Sequence, residues 1–295
     1  QFVATMAAGD TTGSNLASGV APDADLILSS QPNYSGYRGD DWAADLDSAR
    51  GYGAVASNNS WGMGDSTDSN ANANWNITEL KSYISDNSLT NNQGFAALME
   101  GSSSSDAITA TQSYITALDN FQNNGVVVFT SGNFSSDSDV SMMGALPVYF
   151  NGTDDSVDLS DAWLSVMYAE FTGSSLSGAS TSDFNRLGNP CGYAKEWCLV
   201  VDDRQIGAAG YVDSGGTSQY VTLSGSSMGA PQVSGMIALL AQAFPNHNPE
   251  QLTDRLLASA NNDWFTPDGN TTFTTHGASV KHGYNDTWGH GVPDM

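Results

Sequence analysis

Apolar and polar positions alternate along the chain in two rhythms. Short apolar runs bounded by turns read as strands: DADLILSS (23–30), AVASNN (54–59), VVVF (126–129), WLSVMYAEF (163–171) and CLVVDD (198–203). VVVF has no polar alternation, which predicts a strand buried on both faces. Between these runs the rhythm changes to 3–4. Trp42, Ala43, Leu46, Ala49 and Arg50 share one helical face, and Gly51 closes it. In 108–125, Ile115, Leu118 and Phe121 form an apolar stripe, and Asn123-Asn124-Gly125 is a C-terminal stop. An apolar helix is predicted over 226–244 and an amphipathic one over 249–260. Strands alternating with helices predict one α/β domain with a mainly parallel sheet. The Ser-, Asn- and Asp-rich stretch 63–105 lies between strands of that sheet and is expected to be a surface insertion.

Composition narrows the classes. At 295 residues and 39% hydrophobic content, the chain can bury a large core without a metal or disulfide staple. Eight Lys plus Arg stand against 32 Asp plus Glu, a net charge of −24. Such a surface repels phosphate backbones and anionic lipid, so neither nucleic acid nor a membrane surface is the expected partner. No apolar run reaches the ~20 residues of a membrane span. The chain opens at Gln1 inside an apolar stretch, QFVATMAAG, and reads as a segment of a longer open reading frame. Cys191 and Cys198 suit either a small-loop disulfide or two free thiols. They make no metal site, because His247, His276, His282 and His290 lie at least 49 residues further on.

Three short segments carry candidate chemistry. In LSGSSMGAPQVSG (223–235), a serine stands at the first turn of an apolar helix. The unpaired N–H groups and partial positive charge of a helix start favour an oxyanion there. The competing reading makes Ser226 or Ser227 a simple N-cap. TSGNF (130–134) puts Asn133 at the carboxyl end of the VVVF strand, where α/β sheets gather ligand groups; an ordinary Asn turn is the alternative. NNSWG (58–62) follows another strand and offers backbone to an extended peptide, unless Trp61 is only a buried aromatic in a turn.

GSSMGAP (225–231) resembles the nucleophile motif GTSMAAP of the subtilisin-like serine peptidases. VATMAAG (3–9) followed by GVAPDADL (19–26) is similar to the stretch after that family's catalytic His. SWG (60–62) resembles its substrate-binding strand, SGN (131–133) its oxyanion segment, and WGHGVPD (288–294) the closing G-x-G-x-x-D/N signature. Order and spacing agree along almost the whole chain. The resemblance implies a three-layer α/β fold, a mainly parallel sheet with helices on both faces, and serine endopeptidase activity. Ser227 is then the nucleophile and Asn133 the oxyanion donor beside the Ser227 N–H. Ser60, Trp61 and Gly62 line one wall of the peptide groove, and Ser131 and Gly132 the other. Asn133 separates the chain from the sedolisins, which use Asp in that role. CGYAKEWC (191–198) resembles the disulfide loop of autotransporter-type subtilases, implying an extracellular or bacterial cell-surface protein.

The resemblance also implies a catalytic His two residues before Gln1 and an Asp strand further upstream, so 1–295 is read as one peptidase domain lacking its N-terminal part. HGASV (276–280) mimics the His motif but follows the nucleophile helix, and His290 sits in the closing turn. Without a base a serine hydroxyl is a poor nucleophile, so residues 1–295 alone are expected to turn over negligibly. Polypeptides are the expected substrates, with a propeptide and a C-terminal translocator or other domain as companions outside the segment. No cofactor is required. The loop 10–19, with Asp10 and Asn15, is a candidate structural calcium site. The alternative function is an inactive subtilase-like binding or adhesion module.

Overall fold

A computed structural model describes residues 2–10, 18–29, 36–65, 68, 73–152, 157–202, 204, 206–274 and 277–295. In chain order its helices are α1 (Phe2–Ala8), α2 (Arg38–Gly51), α3 (Ile77–Asp86), α4 (Asn91–Glu100), α5 (Ser105–Gln122), α6 (Ser226–Ala243) and α7 (Pro249–Ser259). Its strands are β1 (Ala56–Asn59), β2 (Val126–Thr130), β3 (Trp163–Phe171), β4 (Phe184–Arg186), β5 (Cys198–Asp202), β6 (Ile206–Val212), β7 (Ser218–Leu223), β8 (Gly269–Phe273) and β9 (Val280–Tyr284).

β2 shows why three layers form. Side chains alternate across the pleat, so Val127 and Phe129 join Trp42, Leu46, Tyr114 and Leu118 of α2 and α5. Val126 and Val128 join Ala230, Val233, Leu252 and Leu256 of α6 and α7 on the opposite face. All five β2 residues are buried, as the missing alternation predicts. β1, β2, β3 and β5 pair in parallel, with β4 antiparallel on β3. Parallel pairing points the carboxyl ends of β1 and β2 the same way, and Ser60 and Ser131 follow those ends.

Two expectations change, and one unexpected element is added. The run 23–30 forms no strand over its described residues, and Leu26, Ile27 and Leu28 are 47%, 45% and 75% exposed. A strand needs a hydrogen-bonded neighbour, and among the described residues none lies alongside. The segment 63–105 is not merely a surface insertion. It builds α3 and α4, each with an Asn or Thr capping box, and buries Ile77, Leu80, Phe95 and Met99 in the α2–α5 core. α1 is a helix where the sequence pattern named no element; Gly9 N–H donates to Thr5 O at 2.8 Å and Ala21 N–H to Ala7 O at 2.8 Å.

Smaller shifts have local causes. The expected strand 54–59 begins only at Ala56, because Ala54 N–H still donates to Ala49 O at 3.1 Å, in the turn that ends α2. α5 starts earlier than its apolar stripe, at a Ser104 cap whose Oγ accepts from Ala107 N–H at 3.3 Å. The hairpins β6–β7 and β8–β9 were not legible in the pattern. Cys191 and Cys198 form a disulfide with their Cα atoms 5.8 Å apart.

Candidate active site

The first turn of α6 is set by what precedes it. Gly225 takes φ +137°, open in practice only to glycine, and a Cβ there would come within 3.0 Å of Asn133 Oδ1. Ser226 is buried and turned inward: its N–H and its Oγ both donate to Asn133 Oδ1, at 2.7 and 2.8 Å. Ser227 is half-buried, one residue further into the turn where helix N–H groups lack intrahelical partners. Of the two candidates in G-S-S-M, Ser226 is the anchor and Ser227 the residue presented outward.

Asn133 is therefore oriented. Its amide oxygen accepts from Ser226, which ties the turn 131–134 to the start of α6, and the residue is exposed.

Pro231 explains the link between α6 and β1. A proline cannot donate to the carbonyl four residues earlier, which frees Ser227 O. Ser60 Oγ fills that vacancy, donating to Ser227 O at 3.0 Å, while Ser227 Oγ donates to Ser60 O at 3.3 Å. Behind this pair, Asn58 Nδ2 donates to Ser60 Oγ at 3.0 Å, and Ser234 Oγ reaches Asn58 Oδ1 at 3.3 Å. Asn58 and Ser234 were missed from sequence; the first lies in the quoted NNSWG, but nothing in the pattern distinguishes it from its neighbour.

The remaining expected site residues divide. Ser60 and Gly62 follow the end of β1; Ser60 is bonded to the first turn of α6, and a Cβ on Gly62 would meet the Asn74 side chain. Trp61 turns its ring inward, 4.6 Å from Trp42 and 5.4 Å from Phe129 between ring centroids. Ser131 is fully buried and its Oγ donates to Asn189 O at 3.2 Å, so its side chain is structural. Gly132 is buried at φ +115°.

No described histidine or carboxylate hydrogen-bonds Ser227. His247 follows the far end of α6, which has 18 residues and is therefore about 27 Å long. His282 and His290 face each other, Nδ1 to Nδ1 at 2.9 Å, with their Nε2 atoms on Ala260 O and Glu196 O. Burial, then the neighbouring His282, pushes the His290 pKa down to about 3. His276 lies outside the described residues. Phe2 and Met6 of α1 pack on Met228, so the start of α1 stands next to the turn that carries Ser227.

Asp10 is exposed and Asn15 lies outside the described residues. Among the described residues no three His, Cys, Asp or Glu side chains gather as metal ligands; most of the loop 10–19 lies outside them. A cleft of about 960 Å³ opens between residues 21–29 and β1, and a hollow of about 400 Å³ sits on the β8–β9 hairpin. Neither is lined by Ser227 or Asn133. No described helix is long and apolar enough to cross a membrane.

The model of the subtilase family matches residues 2–291. Among solved structures, the chain is similar to sphericase at 18% identity, covering 100% of this chain and 76% of that one with a TM-score of 0.55. It is similar to fervidolysin from Fervidobacterium pennivorans, a keratinolytic enzyme related to subtilisin, at 19% identity, 99% and 34% coverage and a TM-score of 0.55. It is also similar to the self-cleaved protease domain of PatA, at 20% identity, 88% and 74% coverage and a TM-score of 0.53. At these identities the likeness is one of fold. No curated protein matches the chain by sequence.

Proposed function

This chain belongs to the subtilase family, a family of serine peptidases, and on that premise we propose that it is the greater part of a secreted serine endopeptidase with Ser227 as nucleophile. The observation that carries the reading is the pairing of Asn133 with the first turn of α6, its oxygen spent on Ser226 and its NH2 group left to donate. Ser227 Oγ attacks the substrate carbonyl carbon, and its proton passes to a histidine. The new oxyanion accepts from the Ser227 N–H and Asn133 Nδ2. Collapse expels the amine, which takes the proton, and leaves an acyl-Ser227 ester that water hydrolyses.

Among the described residues no histidine hydrogen-bonds Ser227, so this reading requires a histidine and its aspartate from outside them. The packing of Phe2 beside Met228 supports a base supplied by the chain leading into α1. Residues 1–295 alone then show only the ~10³–10⁴-fold residual acceleration of an oxyanion hole and binding. The disulfide and the charge of −24 support a secreted or cell-surface site of action.

The test is cleavage of a denatured polypeptide by the full-length natural protein and by its Ser227→Ala variant, with labelling by a fluorophosphonate probe. Cleavage and labelling at Ser227 in the first, and a loss of about 10⁶-fold in the second, are expected. A folded full-length protein that neither cleaves nor labels is instead a subtilase-shaped binding module.

A further inference from the structure

We infer that Asn189 is the positioning residue of the oxyanion donor, holding the turn 131–134 so that Asn133 meets the start of α6; this rests on the peptidase reading above. Asn189 lies on the strap between β4 and the Cys191–Cys198 disulfide, more than 50 residues from the turn in sequence. It is 1% exposed, and its hydrogen bonds converge on the segment 131–139. Its Oδ1 accepts from Phe134 N–H at 2.9 Å. Its Nδ2 donates to Asp137 Oδ2 at 2.6 Å and to Asp139 O at 2.8 Å. Its N–H donates to Gly132 O at 3.2 Å, and its carbonyl accepts from Ser131 Oγ at 3.2 Å.

The fit admits little else. A Cβ on Gly132 would fall 2.4 Å from Asn189 Oδ1, and one on Gly188 would fall 2.5 Å from Gly132 O. The side chain must accept on one side and donate twice on the other, which an amide does and a carboxylate or hydroxyl does not. Arg186 reinforces the strap, donating to Gly188 O at 2.7 Å and to Ser135 O at 2.6 Å. Asn133 itself has one anchor, its Oδ1 on Ser226, and the flanking residues Gly132 and Phe134 are the two that Asn189 grips. Releasing them lets the Asn133 backbone move while Ser226 stays on α6, and the amide loses its aim. A displacement of about 1 Å is enough to cost about 10²-fold in rate.

The experiment is a double-mutant cycle in the full-length active protein, with kcat and KM measured on one peptide substrate and folding followed by thermal melting. Asn189→Ala is expected to lower kcat by about 10²-fold with KM within about twofold, and to do nothing further when Asn133 is already Ala. Asn189→Ser, which keeps a short polar side chain, provides the same readout at smaller cost to folding. Equal losses in the presence and absence of the Asn133 amide would show that Asn189 acts on stability alone and overturn the inference. Full kcat in Asn133→Ala overturns this inference while leaving the peptidase reading standing; no cleavage by the wild type overturns the peptidase reading and this inference with it.

Discussion

Ser227 stands between two surroundings that are finished to different degrees. Towards β2, the turn 131–134 is tied to α6 through Ser226 and to the strap 186–189 through Asn189, and Ser131 and Gly132 are buried. Towards β1, the outer strand edge and the extended residues 25–29 face a cleft of about 960 Å³ lined by Val3, Ala7, Ile27, Ser57 and Ser234 among others. Leu28 there is 75% exposed. The Asn133 side is thus tied down by groups among the described residues, while towards β1 no described histidine or carboxylate hydrogen-bonds Ser227. An apolar run states a need for a partner strand, and the fold shows whether that need is met.

The largest expected effect sharpens the finished side. Asn133→Ala should lower kcat of the full-length protein by about 10²–10³-fold with KM little changed; a rise in KM at constant kcat would make Asn133 a ground-state contact instead. Next comes the disulfide, which closes a loop with sequence separation 7. Replacing both cysteines by serine should cost roughly 2–3 kcal/mol, read as a lower denaturation midpoint, and should slow catalysis because Asn189 is two residues away. An unchanged midpoint would mean the strap is held by packing alone.

Acid should act on the same side through His290. Its pKa falls from 6.5 in the unfolded chain to about 3 in the fold, so the neutral form is the folded one. Its contribution to stability is complete above pH 6.5 and is lost as pH falls towards 3. Denaturant midpoints at pH 7 and pH 4 should therefore converge in His290→Gln relative to wild type; an equal acid loss in both would assign it elsewhere. The smallest effect tests the open side. Leu28→Ser should change stability by less than about 0.5 kcal/mol in residues 1–295, and a much larger loss would show that Leu28 is covered in solution.

Legibility in the sequence followed range of interaction. VVVF and the stripe Ile115, Leu118 and Phe121 were readable because burial leaves a local period. GSSMGAP and SGN were readable as family motifs because each keeps its particular residues in a row, and the family is the one the chain belongs to. Burial of Ile77 and Phe95 was hidden by a Ser- and Asn-rich setting, since a few apolar residues suffice when a large core accepts them. Asn189 left no signal: its bonds run to backbone groups some 50 residues earlier, and an asparagine before proline reads as any loop. The direction of Trp61 was equally unreadable, because a strand end can turn its ring to either side.

The edge of β1 that no described strand pairs, and the triplet Leu26, Ile27 and Leu28, also bear on how copies of residues 1–295 behave in a tube. Unpaired strand edges beside exposed aliphatic side chains are templates for aggregation. Here the net charge of −24 opposes association, but over a distance that shrinks with added salt, about 8 Å at physiological ionic strength and about 3 Å at 1 M. Concentrated stocks should therefore stay clear in dilute buffer and turn cloudy as salt is raised, a practical reason to purify and store this protein at low ionic strength.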